Sequence, residues 1–193
     1  MPYDSDATKA RIFDAAVAEF AEVGIGGARM ERIAERAQAN KSLIYRYFGS
    51  KEQLFAVVLM SELRKLAEAV SIDPDRVAEY VGELFDYHVA HPDLIRLMVA
   101  EGFRYGASDV PDQQSRTAYY QSKTEAIRAA QELGVVADSL DARSLVLALL
   151  GLVGWYFAAP QISRMVMDGD PYDPAVLAAH RAALTEAARR IVA

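Results

Sequence analysis

Residues 32–54 read RIAERAQANKSLIYRYFGSKEQL, and the spacing of side chains within them decides the fold. The stretch divides into a short helix ending near Ala37, a turn, a second short helix that Asn40 can cap, and a third opening at Ser50. Taking about 100° per residue from Lys41, Ile44 and Phe48 fall near about 300° and 340°, whereas Ser42, Leu43 and Arg46 fall between about 100° and 200°. The helix therefore has an apolar keel of Ile44 and Phe48 and an outward face carrying a hydroxyl and a cation. Tyr45 and Tyr47 sit on the two flanks. Outward side chains at a helix N-terminus can reach base edges in a groove, and flanking hydroxyls and lysines can hold phosphates.

Helix signals extend in both directions from this core. Upstream, a helix from about Asp6 places Phe13, Ala16, Phe20 and Val23 on one stripe and is expected to stop at Gly24. The next helix runs from about Met30 to Ala37, turning Met30, Ile33, Ala34 and Ala37 inward. Downstream, the Ser50–Gln53 spacing fits a capping box for a helix through Leu54, Phe55, Val58, Leu59 and Leu66, ending near Val70. Further starts are marked by Asp73-Pro74, His91-Pro92, the Asp109 to Asp112 turn, Asp138 and Asp173-Pro174. Alternating strand patterns are scarce, so the fold class is all-α with about nine helices. The domain reading is a three-helix DNA-binding module over residues 1–52 and a larger helical domain over residues 53–193.

Composition narrows the function classes. A content of 52% apolar and 25% charged residues suits a folded chain and excludes a disordered one. The chain has no cysteine, which removes disulfides, thiolate metal sites and cysteine nucleophiles. The start MPYDSDATKAR lacks the pattern of an export signal, and the apolar stretch Leu145 to Ala159 is shorter than the roughly 18 to 20 residues that span a bilayer. A cytoplasmic protein with no membrane partner is expected. The net charge of -6 opposes nucleic-acid binding, but Ala28 to Lys51 carries six basic residues (Arg29, Arg32, Arg36, Lys41, Arg46, Lys51) against Glu31 and Glu35.

Taken together, Ile33-Ala34, Tyr45, Tyr47-Phe48 and Lys51 in this spacing resemble the helix-turn-helix of the TetR family of bacterial regulators. The resemblance implies that Lys41, Ser42, Leu43 and Arg46 occupy base-reading positions and that Tyr45, Tyr47 and Lys51 occupy phosphate-contact positions. Arg29, at the start of the second helix, would meet backbone or base. Two residues depart from the family pattern: Arg29 replaces the usual Ser or Thr, and Gln38 replaces the usual turn glycine.

The resemblance also implies that the larger domain binds a small-molecule effector and forms a homodimer through its last two long helices, here Leu140 to Phe157 and Asp173 to Ile191. The first is apolar almost all round, and Gly151 and Gly154 permit close approach. The second stripes Leu177, Leu184, Ala187 and Ile191. The alternative for the first is a central helix of the monomer core. Candidate pocket residues are Phe103, Tyr119, Tyr120, Trp155 and Tyr156, and the sparse charge around them favours an apolar or aromatic effector.

Other chemistries find little support. His88 and His91 could share a helix face but have no clear third ligand, so no metal is expected. The run from Asp168 to Asp173 resembles a calcium loop but carries Ala179 where such a loop ends in glutamate, and it reads as a turn. No nucleophile elbow or phosphate-cradling glycine loop is present, so neither catalysis nor a cofactor is expected. The expected function is a ligand-responsive repressor that binds a palindromic DNA operator as a dimer. The rival is a helical ligand- or partner-binding protein whose helix-turn-helix no longer reads DNA.

Overall fold

A computed structural model describes residues 5–193. Among the described residues there are ten helices and no strand, one helix more than the sequence suggests. In chain order they are α1 (Ser5–Gly27), α2 (Met30–Arg36), α3 (Lys41–Phe48), α4 (Lys51–Ala69), α5 (Val77–Ala90), α6 (Pro92–Tyr105), α7 (Gln113–Glu132), α8 (Ala142–Ala158), α9 (Pro160–Val166) and α10 (Pro174–Val192). The chain forms two compact units. One comprises the described residues up to Lys65 together with Asp93–Asp112, and the other comprises Leu66–Pro92 and Gln113–Ala193.

In the first unit, α1 packs on α2 and α2 on α3. Its core collects Ile12, Ala16, Phe20, Ile33, Ile44 and Leu54, all buried, and Phe20 meets Phe55 edge to face at 5.2 Å. The inward stripe of α1 differs from the expected one. Ile12, Ala15, Ala16 and Phe20 are buried, Phe13 is half-buried and Val23 is exposed. Nor does the helix end at Gly24: a φ of 68° and ψ of 179° there kink it, and a short continuation reaches Gly27. Glycine takes this positive-φ conformation without a side-chain clash, so the residue read as a stop instead joins two helical pieces at a kink.

The second unit is built around α5 and α8, which pack on each other, with α10 against both and α7 against α8. Gly82 of α5 sits where α10 crosses. A Cβ there would lie 3.0 Å from the Thr185 hydroxyl and from Arg181 Nη2. Two ion pairs line the same crossing, Arg181–Asp86 at 2.7 Å and Arg189–Glu79 at 3.2 Å.

The start signals hold at Pro92, Gln113 and Pro174, where Asp173 accepts from the backbone N–H of Ala175 at 2.8 Å. Two fall short of their helices. Asp73-Pro74 forms a turn ahead of Val77, and α8 is capped by Asp141 rather than opened at Asp138 or Leu140. The extra helix is α9, opened by Pro160 in its first turn; proline cannot continue α8 but suits a new N-terminus. Among the described residues no single helix is long and apolar enough to cross a membrane.

Candidate nucleic-acid interface

The geometry of α3 is set by its ends. Asn40 is extended, and its side-chain oxygen accepts from the Ser42 backbone N–H and the Ser42 hydroxyl, each at 2.9 Å. This satisfies a helix N–H that has no intrahelical partner and fixes the direction in which the helix leaves the turn. At the other end Gly49 has a φ of 74°, and Ser50 and Gln53 form a reciprocal capping box. Ser50 N–H donates to Gln53 Oε1 at 2.8 Å, and Gln53 N–H donates to Ser50 Oγ at 3.2 Å. The turn between α2 and α3 is held by Gln38 in the left-handed region, φ 48°, a position that glycine would occupy at lower cost.

The keel is carried mainly by Ile44, which is fully buried. Phe48 is only half-buried, because it ends the helix one turn beyond Ile44, and it meets Tyr47 edge to face at 6.4 Å. On the opposite side Ser42, Tyr45 and Arg46 are exposed, and Leu43 is half-buried beside them.

The cations of this module are more occupied than their number suggests. Lys41 pairs with Glu31 and lies 5.7 Å from the Tyr45 ring. Arg46 donates to the Tyr47 hydroxyl at 3.3 Å and lies over its ring at 5.1 Å. Tyr47 also accepts from the Ser5 hydroxyl at 3.3 Å, and the hydrogen bonds from Ser5 and Arg46 hold its pKa below the ordinary phenol value. Lys51 donates to the Ala28 carbonyl at 3.2 Å, tying the start of α4 to the residues just before α2. Arg32 and Arg36 engage Glu19 and Glu22. Part of the local basic excess is thus internal structure, and shape says more about this surface than charge does.

Sequence reasoning missed Glu19. It is completely buried on α1, and its carboxylate accepts from the backbone N–H of Arg29 at 3.2 Å and faces Arg32 Nε at 3.2 Å. Arg29 itself is the N-cap residue of α2 and is exposed, with no side-chain cap bond; Glu19 fixes its backbone instead. The signal was present in the sequence, since Glu19 falls on the Ile12, Ala15 and Ala16 side of α1 at helical spacing.

The five expected effector residues fall in different surroundings. Phe103 lies on α6 in the first unit and is 89% exposed. Trp155 is 61% exposed on α8. Tyr156 is buried in the core of the second unit, donating to the Pro171 carbonyl and stacked on His180 with ring centroids 4.4 Å apart. Tyr119 and Tyr120 are neighbours on α7, both half-buried, and Tyr119 lines a cleft in that unit. His88 is buried against Phe157 at 5.5 Å, and burial lowers its pKa to about 4. Among the described residues no group of three or more His, Asp or Glu side chains could hold a metal.

A capped helix with one buried keel and an exposed polar face, packed behind a second short helix in an all-helical chain, defines a helix-turn-helix DNA-binding module. Residues 12–58 match the model of the bacterial regulatory proteins of the tetR family, and residues 76–190 match the tetracyclin repressor-like C-terminal domain. The chain belongs to the TetR family of bacterial transcriptional regulators. It is 45% identical to the HTH-type transcriptional repressor SCO4008 of Streptomyces coelicolor, over 98% of this chain and 97% of that protein. The crystal structure of SCO4942 from Streptomyces coelicolor, described as a transcriptional regulator, superposes with a TM-score of 0.83 at 34% identity, covering 95% of this chain and 97% of that one. AibR, solved in complex with isovaleryl coenzyme A and operator DNA, shares the fold at a TM-score of 0.65 and 14% identity, covering 94% and 97% of the two chains.

Proposed function

We propose that this protein is a cytoplasmic repressor that binds a palindromic operator as a homodimer and is released by a small molecule. Residues 1–52 read DNA, while residues 53–193 take the effector and the partner copy. The observation that carries the reading is α3: its keel Ile44 is buried and its start is fixed by Asn40, so Ser42, Tyr45 and Arg46 stand outward together. In this reading Lys41, Ser42, Leu43 and Arg46 read bases, Tyr45, Tyr47 and Lys51 hold the phosphate backbone, and Arg29 meets backbone or base. Two copies related by a dyad place their recognition helices on half-sites about 34–36 Å apart, or a multiple of that spacing.

The effector has an apolar or aromatic body, as the apolar interior of the second unit favours. Its action is a coupling of affinities: a ligand that weakens operator binding is itself bound less tightly on DNA, commonly by about 1–3 kcal/mol. Family membership, the repressor 45% identical to this chain and the operator-bound neighbour support the reading.

The test is selection of genomic fragments at moderate salt, followed by titration of the enriched duplex. The expected result is a recurrent inverted repeat. Lys51→Ala should weaken binding to every sequence and reduce the salt slope by about 0.9 per subunit, whereas Arg46→Ala should also change base preference. Parent-like binding of every duplex by both variants would remove α3 from the interface.

A further inference from the structure

The second unit holds a buried cation with no acid beside it among the described residues. Lys123 of α7 is only 5% exposed, and its ammonium lies 4.6 Å from the Tyr80 ring of α5 and 4.6 Å from the Tyr119 ring. The quadrupoles of two phenol rings offset part of the lost hydration but supply no counter-charge. Burial accordingly lowers the lysine pKa to about 8. The hydroxyls of Tyr80 and Tyr119 are buried as well, and neither has a hydrogen-bond partner among the described residues.

Buried polar groups are normally satisfied, so two orphaned hydroxyls on the rings that flank a largely buried ammonium call for an explanation. All three are alike in kind: an ammonium and two phenols can each donate, and none of them meets an acceptor among the described residues. The group that complements such a set is an anion with several lone pairs. Lys123 and Tyr119 also line a cleft of about 340 Å³ whose other walls include Val70, Ile72 and Ala126, with Ser122 at its side. The volume suits a small molecule, and the walls suit an apolar body.

We propose that Lys123, Tyr80 and Tyr119 are the anchoring end of an effector site, and that the effector is a small organic acid whose carboxylate pairs with Lys123 while its apolar body lies along Val70, Ile72 and Ala126. The inference rests on the ligand-responsive reading above and names the chemistry of its ligand. A carboxylate supplies the missing counter-charge and accepts from the tyrosine hydroxyls. The sparse charge of this region therefore makes a single acid on the ligand decisive for selectivity.

The test is calorimetric titration of the full chain with a panel of aryl and fatty carboxylates from benzoate to decanoate, each matched with its carboxamide and its amine. Acids should bind at least tenfold more tightly than their amides, and Lys123→Met should abolish that preference. Thermal unfolding of Lys123→Met without ligand should show no loss of stability, because the variant removes an uncompensated buried charge. Should it fail to fold, Tyr119→Phe serves instead and should weaken acid binding severalfold. Equal binding of acid and amide, preference for the amine, or no binding by any acid would overturn the proposal. Operator affinity of the unliganded parent is measured in parallel: its absence would sink the regulator reading, and its presence with failed acid binding would sink the acid site alone.

Discussion

At the scale of single residues, burial fixes protonation, and His88 makes this measurable. The folded protein holds this imidazole at a pKa of about 4 through burial, with a smaller contribution from His91, against about 6.5 in an unfolded chain. The folded state therefore binds its proton less readily than the unfolded one. Stability from this group is complete above about pH 6.5 and is lost as the pH falls towards 4, by about 3 kcal/mol in all. Burial lowers the His180 pKa too, so that group acts with the same sign. His88→Phe, placed against Phe157, should lose much less stability than the parent between pH 7 and pH 4.5 in urea titrations at each pH. Equal losses in the two proteins would contradict the assignment. The spacing of His88 and His91 was visible in the sequence, but burial against Phe157 comes from α8 and could not be read there.

Among the helices, local chemistry and tertiary partners can be separated by what each predicts correctly. The caps at Asn40, Ser50 with Gln53 and Asp173 are all contacts within four residues, and all were legible. Asn40→Ala should cost about 1 kcal/mol and, on the proposed function, lower operator affinity, because α3 then frays at its N-terminal end, whereas Asn40→Ser should restore both. Urea midpoints and anisotropy with a labelled operator fragment would decide it; an unchanged midpoint for the alanine variant would rule out a capping role.

Where a helix has two equally apolar stripes, its partner chooses between them. On α10 the expected stripe was Leu177, Leu184, Ala187 and Ile191, yet Leu184, Thr185, Ala188 and Val192 are buried, a rotation imposed by packing against α5. On α1 the choice between Phe13 and Ile12 went the same way. The recognition helix was legible because its keel and its cap lie within ten residues. Lys123 and Tyr80 were not, because they lie on different helices and only the tertiary fold brings the two side chains together.

For the whole molecule, the decisive surface is the side of α8 that the monomer leaves bare. Leu145, Leu149, Val153 and Tyr156 face the core of the second unit, as a central helix requires. Leu147 and Trp155, each one turn from Gly151 on the other side, are 71% and 61% exposed, and a Cβ on Gly151 would meet open space. On the flank of α10, Leu177, Ala187 and Ile191 stay half-exposed. The core-helix reading of α8 thus holds for one face, and the other face is the one left for the homodimer interface proposed above. A contiguous apolar face of this kind is stabilised by covering it, and a second copy of the same chain offers a matching one through a dyad. Leu147→Glu should therefore leave the fold and its helical content intact while shifting the protein to a monomer at micromolar concentration. Operator affinity should fall with it, because one recognition helix then binds one half-site without its tethered partner. Sedimentation of the parent and variant, alone and with operator duplex, tests both steps. A parent that sediments as a monomer in both conditions would overturn the two-half-site reading, and a variant that remains dimeric would move the interface elsewhere.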